Sequence, residues 1–256
     1  MRTLLKLALL ITITLSSCNK IKNAPYSTPS PQAQNRLSQQ QVETYSDSLD
    51  RKLEWMHKQE SLTYTLGDYS FYVTKYSNSK TPLVLVEHSR HGKQGSSEKR
   101  YYLKEGKPVL LVQTDKKPSD ELPYVCKRGF YRGNALFLAQ IKWANTADEL
   151  NNVPFTTDSS LQFFADTDLK KIMDAINQEG DFDLPFDGVI EYPKARYLIL
   201  SRDQLNAYRA SILVDKEDEF IHAILMNPAE YRGRKLQINW RFNNHGEMVY
   251  ISGKFR

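Results

Sequence analysis

The stretch LTYTLGDYSFYV, residues 62–73, decides the fold class of this chain. Apolar side chains recur at every second position on both sides of Gly67-Asp68. They are Leu62, Tyr64, Leu66, Tyr69, Phe71 and Val73. Two alternating segments joined by a short glycine-containing turn are typical of a β-hairpin. We therefore predict two antiparallel strands here.

The same alternation continues outward to Trp143. The further predicted strands are 83–86, a pair at 100–103 and 109–112 around the turn 104–107, and a pair at 126–131 and 135–141 across 132–134. Short connections make consecutive strands antiparallel neighbours. The region is therefore predicted to be a β-meander.

A helix is predicted before the meander. Ser38 and Gln41 have the spacing of a capping box, which satisfies backbone N–H groups at a helix start. Apolar residues then recur at helical spacing, at Val42, Tyr45, Leu49, Leu53 and Met56. We expect this helix to end near Gln59 and its apolar face to cover one face of the meander.

The remainder of the chain mixes both periodicities. A second helix is predicted from a cap at Asp166, with Leu169, Ile172, Met173 and Ile176 on its apolar face, to a stop at Gly180. The predictions that follow are a loop at 180–193, a strand at 197–200, a helix from Ser201 with Leu205, Tyr208 and Ile212 on one side, helical turns at 220–225, and a hairpin formed by 236–242 and 248–255. The predicted fold class is α+β, a mainly antiparallel meander covered by an N-terminal helix and followed by a smaller mixed α/β region.

Residues 1–18, MRTLLKLALLITITLSSC, have the parts of an export signal. The cations Arg2 and Lys6 precede an apolar run at 7–15, and two serines stand before Cys18. A spanning helix needs about 20 apolar residues, so this run is too short for a permanent anchor. The pattern predicts a segment that directs export and is then removed.

The sequence Leu15-Ser16-Ser17-Cys18 resembles the lipobox of bacterial lipoprotein precursors, a leucine, two small residues and an invariant cysteine. The resemblance implies cleavage before Cys18, a diacylglyceryl thioether on its sulfur and acylation of the new N-terminus. It also implies a location in the bacterial envelope. Asn19 replaces the aspartate that often retains enteric lipoproteins at the inner membrane, which favours the outer membrane. The alternative is an ordinary secretory signal with a chance cysteine.

This pattern divides the chain into four predicted segments. Residues 1–17 are the signal peptide, and 18–36, rich in Pro, Ser, Gln and Asn, are a disordered tether with too little apolar content for a core. Residues 37–145 hold the helix and meander. Residues 146–256 hold the mixed helix and β-hairpin region, which we expect to pack on the first.

The charge and the cysteine content of the chain exclude some classes of function. The net charge is +5, and acids are interspersed with bases, whereas nucleic-acid binders concentrate Lys and Arg on one face. We therefore predict no nucleic-acid partner. If Cys18 carries lipid, Cys126 is a lone thiol in an oxidising compartment, and we interpret it as a buried structural residue.

Glu87, His88 and His91 are weak candidates for a metal site, because carboxylate and imidazole groups suit zinc. The two histidines lie three residues apart at the end of a predicted strand, without the HExxH spacing of a zinc-binding helix. A solvated loop is the favoured interpretation, and we predict no metal and no cofactor. His57 is expected at the end of the first helix, and His245 in a turn.

Three further features of the sequence allow alternative functional interpretations. The acids Asp181, Asp183, Asp187 and Glu191 could form a catalytic carboxylate pair or bind calcium, although a polar surface loop is favoured. Trp143 and Trp240 are the first candidates for an aromatic platform that binds sugars. Tyr-Arg-Gly-x-x-Leu occurs at 131 and again at 231, which raises the question of an internal repeat.

No nucleophile elbow, phosphate loop or dinucleotide fingerprint occurs in the sequence. The predicted function is therefore non-catalytic, a lipid-anchored protein that binds or supports an envelope protein or glycan. The alternative is an envelope hydrolase acting on peptidoglycan or glycan. An enzyme should bring at least two of His88, His91, Cys126, Asp183 and Glu191 into one cleft, whereas a binding module should show a shallow aromatic or apolar patch. The oligomeric state is left open.

Overall fold

The computed structural model describes residues 37–256, apart from 119, 134, 159 and 161–168. The strands are β1 His57–Glu60, β2 Tyr64–Leu66, β3 Tyr69–Asn78, β4 Thr81–His91, β5 Ser96–Lys104, β6 Lys107–Lys116, β7 Tyr124–Arg132, β8 Ala135–Ala144, β9 Thr156–Thr157, β10 Phe186–Tyr192, β11 Ala195–Ser201, β12 Arg209–Leu213, β13 Leu236–Phe242 and β14 Met248–Phe255. The α-helices are α1 Gln39–Asp50, α2 Ala147–Asn152, α3 Leu169–Asn177, α4 Glu219–Met226 and α5 Pro228–Tyr231.

All of these strands belong to one sheet. Its main path runs β10-β11-β12-β2-β3-β4-β5-β6-β7-β8-β9, and β1 also pairs with β3. The hairpin of β13 and β14 joins through a short parallel contact with β12. The fold is therefore α+β and mainly antiparallel, as predicted. Strands from 146–256 continue the sheet formed by 37–145, because Arg209 of β12 pairs with Thr65 of β2.

Tight turns connect consecutive strands of the meander, and a register shift lies beside the turns after β3, β5 and β7. At the β5–β6 turn, Glu105 and Gly106 have φ angles of 54° and 73°, the left-handed conformation of a type I′ hairpin turn. The strands are longer than predicted. β4 continues to His91 and β5 begins at Ser96, so the two histidines predicted in a solvated loop lie on a strand, and the connection is 92–95.

Alternation along the strands gives the meander two faces with different cores. Face A is the side on which Leu85, Tyr101 and Leu111 lie, and these side chains belong to the larger core together with residues of α3, α4 and the β10–β12 strands. Face B is the side on which Val84 and Tyr102 lie, in a second core.

Helix α1 contacts face B. Its predicted capping box is confirmed, since Ser38 and Gln41 exchange both hydrogen bonds. The buried side chain of Val42 packs in the second core, and the Tyr45 hydroxyl donates a 2.6 Å hydrogen bond to the carbonyl of Leu103. At the other end of the helix, Asp50 accepts a 2.8 Å hydrogen bond from the Tyr102 hydroxyl.

The predicted end of this helix near Gln59 was wrong. The α-helix stops at Asp50, a single 3₁₀ turn follows at Leu53–Trp55, and His57–Glu60 is a strand. The free edge of β3 offers backbone hydrogen-bonding groups at residues 74–77 that pair with β1. This tertiary pairing overrides the local helical spacing, so His57 begins a strand and does not end a helix.

Two predictions in the C-terminal region were also wrong. Phe186–Tyr192 is strand β10 and not loop, because it pairs along its length with β11. The helix predicted from Ser201 is absent, since Arg209–Leu213 forms β12 and Leu205 is 98% exposed. Helix α4 and the final hairpin are confirmed. The predicted cap at Asp166 lies outside the described residues.

The two Tyr-Arg-Gly segments occupy different local structures. Tyr131 lies in β7, before a hairpin turn, whereas Tyr231 ends helix α5. Both glycines have positive φ, 63° at Gly133 and 83° at Gly233. What the segments share is therefore a left-handed glycine that redirects the chain.

Gly95 is expected to be the glycine least tolerant of substitution. Its φ is +116°, and a Cβ there would lie 1.9 Å from the carbonyl oxygen of Lys116. Gly67 is the matched control, since its φ is +61° but nothing lies within 4 Å of a Cβ. We expect Gly95→Ala to lower the free energy of unfolding by about 2 kcal/mol more than Gly67→Ala, because overpacking is added to backbone strain. Urea denaturation measures both variants, and equal losses would contradict the close approach.

Candidate functional site

The polar residues of the meander gather at one end of the long strands. The tight turns after β3, β5 and β7 lie at the other end, and it is toward this end that β4, β5 and β6 place their side chains of both cores. The longer connections 92–95 and 117–123 mark the polar end. Here the strands continue beyond the apolar core, and polar side chains occupy positions on both faces.

On face A this polar end forms an open cavity of about 580 Å³, named here the face A cavity. Four polar side chains of the sheet that line it are almost fully buried. They are Glu87 and Gln113, each 9% exposed, and Ser89 and Asp115, each 6% exposed. Buried polar groups cost free energy unless they are hydrogen-bonded, so this set marks a site rather than ordinary surface.

The register places these groups in contact across strands. Glu87 pairs with Lys99 of β5, and the Lys99 Nζ lies 3.8 Å from the Glu87 carboxylate. On β6, the Gln113 amide donates a 2.7 Å hydrogen bond to Asp115. The Ser97 Oγ is enclosed and has no hydrogen-bond partner within the described part of the chain. The cavity thus combines paired groups with an unused hydroxyl.

Charges lining the face A cavity are balanced. Three carboxylates, Glu87, Asp115 and Asp120, accompany the three ammonium groups of Lys99, Lys117 and Lys127. Burial lowers the pKa of Lys127, and the nearby Asp115 opposes that shift. Burial, reinforced by Glu87, raises the pKa of Tyr69, so its hydroxyl remains a proton donor.

The structure separates the three candidate metal ligands. Glu87 and His91 line the face A cavity, and the His91 ring lies 4.5 Å from that of Tyr69. His88 falls on face B, where its Nδ1 lies 3.4 Å from Glu98 and its ring stacks on Tyr72 at 4.6 Å. Within the described residues, no three His, Cys, Asp or Glu side chains form a group suited to a metal ion.

His88 and Cys126 both line a second cavity, of about 770 Å³, named here the face B cleft. They occupy one cross-strand row three strands apart, which is about 14 Å at about 4.8 Å per strand. Burial raises the pKa of Cys126 and lowers that of His88. A catalytic thiolate–imidazolium pair needs the opposite shifts, so these two residues do not form one. Cys126 is buried, as predicted.

The acidic residues of 181–191 do not converge as a carboxylate pair. Each lies beside a basic side chain. The pairs are Asp181 with Arg202 at 3.9 Å, Asp183 with Lys235 and with Arg256 at 3.8 Å, Asp187 with Arg232 at 2.9 Å, and Glu191 with Arg196 at 2.6 Å. These acids are therefore engaged in ion pairs.

The two tryptophans singled out from the sequence lie apart from the cavities. Trp143 is 43% exposed at the end of β8, and Trp240 packs edge-on against Phe242 at 5.0 Å. Neither lines the face A cavity or the face B cleft. The two cavities therefore do not contain the aromatic platform for which Trp143 and Trp240 were the first candidates.

Sequence reasoning missed most of the face A cavity. It named Glu87 and His91 but not Ser97, Gln113 or Asp115. A signal was present, because Gln113 and Asp115 continue the alternation of the apolar strand residues before them. Polar residues at inward positions suggest a site, but only the pairing of β4, β5 and β6 brings them together.

Comparisons with protein-family models, curated proteins and solved structures found no match. Among the described residues, no helix is long and apolar enough to cross a membrane. The two cavities and the N-terminal sequence are therefore the features that bear on function.

Proposed function

We propose that this protein is a lipid-anchored bacterial envelope protein that binds a polar ligand, without transforming it, in the face A cavity. One observation supports the proposal of ligand binding. Four nearly buried polar side chains line an open cavity. Ordinary sheet faces bury apolar side chains at such positions. Polar groups held there are available to a ligand that supplies complementary hydrogen bonds.

The lipobox at Leu15–Cys18 and the tether at 18–36 support the anchor. Acyl chains on Cys18 would hold the protein in the bilayer, and we infer that the outer membrane is the site of anchoring. Helix α1 would cover part of face B, while the face A cavity stays open. The folded residues 37–256 would then reach ligands at a distance set by the tether.

The balance of charges indicates the class of ligand. In the row Glu87, Lys99, Gln113 and Lys127, a carboxylate and a neutral amide alternate with two ammonium groups. Such a row suits a ligand with both amine donors and carboxylate acceptors. Peptidoglycan fragments, which join sugars to a short peptide, carry hydroxyl, amine and carboxylate groups together, and we propose them as the ligand.

Titration of the full-length protein, in a nonionic detergent, with purified soluble muropeptides tests this proposal. We expect saturable binding, weakened about tenfold or more in Glu87→Gln, because a buried hydrogen bond to a charged group is lost. Glu105→Gln, at the exposed β5–β6 turn, is the control and should bind like the parent protein. Affinity that is undetectable, or unchanged in Glu87→Gln, would contradict the proposed site.

The same experiment addresses the hydrolase alternative. The muropeptides recovered after incubation should be chemically unchanged, because the thiol of Cys126 and the imidazole of His88 are separated and oppositely perturbed. Mass spectrometry of the recovered fragments checks this. Cleavage products that require the protein would favour the envelope hydrolase.

A further inference from the structure

The face B cleft differs from the face A cavity in its charge. Its permanent cations are Arg90, Lys116 and Lys142, and its one lining carboxylate is Glu98. That carboxylate is already engaged, by Arg100 at 3.1 Å and by His88 at 3.4 Å. In the described part of the chain, no carboxylate lies within ion-pair distance of the three cations. The cleft therefore has a surplus of positive charge that its own walls do not neutralise.

The sheet register shows how the cations are arranged. Arg90 and Lys116 flank Ser96 in one cross-strand row. In the next row on the same face, Lys142 lies beside Cys126 and two strands away from Thr114. Neighbouring positions two strands apart are separated by about 10 Å. Arg90 and Lys116 thus lie on either side of Ser96, and Lys142 lies in the row of Thr114, beyond Cys126. An anion placed between them would meet hydrogen-bond donors at its centre and positive charge at its rim.

Aromatic contacts constrain two of these lysines. The Lys116 Nζ lies 5.7 Å from the centre of the Tyr124 ring, and the Lys142 Nζ lies 4.6 Å from that of Phe155. Cations over aromatic faces lose part of their freedom before a ligand arrives. One wall of the face B cleft is also fixed by packing, since Leu150 of α2 packs with Cys126. The site is therefore partly preorganised, which reduces the entropy lost on binding.

We propose that the face B cleft binds a ligand carrying at least two phosphate groups. Arg90, Lys116 and Lys142 lie on β4, β6 and β8, so neighbouring cations are about 10 Å apart and the outer two about 19 Å apart at the backbone. A single phosphate would reach only part of this set, whereas linked phosphates can bridge neighbouring cations. Arginine and lysine are the side chains best suited to phosphate oxygens. The ligand could be a soluble polyphosphorylated compound or the head group of a diphosphorylated lipid, since both present the same chemistry. This site lies on the opposite face of the sheet from the face A cavity, and Ser89, Ser96 and Ser97 line both.

Isothermal titration of the full-length protein, in a nonionic detergent, with inorganic triphosphate tests the proposal. We expect saturable binding that weakens with added salt, because screening reduces the attraction. In the double variant Lys116→Ala/Lys142→Ala, affinity should fall about tenfold or more, with the loss of two charge-assisted contacts. The control Lys104→Ala/Lys107→Ala removes the same charge at the opposite end of β5 and β6 and should retain the affinity of the parent protein.

Two further measurements complete the test. Arg90→Ala should also weaken triphosphate binding, and it reports on the site if the double variant fails to fold. Vesicles of phosphatidylcholine with and without cardiolipin, offered to the Cys18→Ser chain, distinguish a lipid head group from a soluble ligand. Undetectable triphosphate binding without a preference for cardiolipin would overturn the proposal. Equal weakening by the control pair would overturn it as well, since the effect would then be one of net charge.

Discussion

Replacing Cys18 by serine is expected to abolish the incorporation of fatty acyl chains into this protein. The thiol of Cys18 is the group that the lipobox resemblance assigns to the thioether, and a serine hydroxyl is far less nucleophilic. Each buried methylene contributes about 0.8 kcal/mol to membrane binding, so two or three acyl chains give firm attachment. Metabolic labelling with palmitate and mass spectrometry of the N-terminal peptide measure the loss.

Cys126→Ser is the control for this experiment. Cys126 is 6% exposed within the folded sheet, so its replacement should leave acyl labelling intact. An N-terminal peptide of the parent protein that carries an unmodified Cys18 thiol would contradict the proposed anchor. Labelling that persists in Cys18→Ser would contradict it equally.

Val42→Asp is expected to detach helix α1 from face B. The side chain of Val42 is 0% exposed and packs in the same core as Val84, Tyr102 and Phe130. A carboxylate in this apolar core would lose its hydration, a cost of several kcal/mol. We expect the free energy of unfolding to fall by about 3 kcal/mol or more, and α1 to become sensitive to proteases. Chemical denaturation and limited proteolysis measure the two effects.

Gln40→Asp is the matched control on the same helix. Gln40 is exposed in the first turn of α1, where a negative charge interacts favourably with the helix dipole. Its stability should equal or slightly exceed that of the parent protein. If both substitutions destabilised to the same degree, the cause would be charge on α1 and not the loss of packing against face B.

The two cavities at the polar end of the meander have a common physical origin. β4, β5 and β6 are longer than the apolar cores that they contribute to on either face, and their positions beyond those cores carry polar side chains. On face A the charges are balanced, with Glu87 opposite Lys99. On face B the positive charges of Arg90, Lys116 and Lys142 are in excess. One set of strands thus presents two chemically different surfaces, because neighbouring residues point to opposite sides.

Most of the meander could be predicted from the sequence, because its signals are local. The turns at Gly67-Asp68 and Glu105-Gly106 and the alternation beside them lie within short windows. The candidate site could not be predicted to the same extent. Glu87 and Asp115 lie 28 positions apart in the chain, and only the β4–β5 and β5–β6 registers bring them to one cavity. The His88 and Cys126 pair illustrates the reverse case, in which a shared cavity does not bring two side chains together.

The capped start of α1 and the hairpin turns could be predicted from the sequence, because each depends on residues within a few positions of one another. The export signal at 1–18 is a prediction of the same local kind. The tertiary structure alone decided where α1 ends, that 209–212 is strand and not helix, and which polar side chains share a cavity. Those outcomes depend on the edges of β3 and β11 accepting β1 and β12. Such pairing satisfies backbone groups across long separations in the chain, and local periodicity does not encode it.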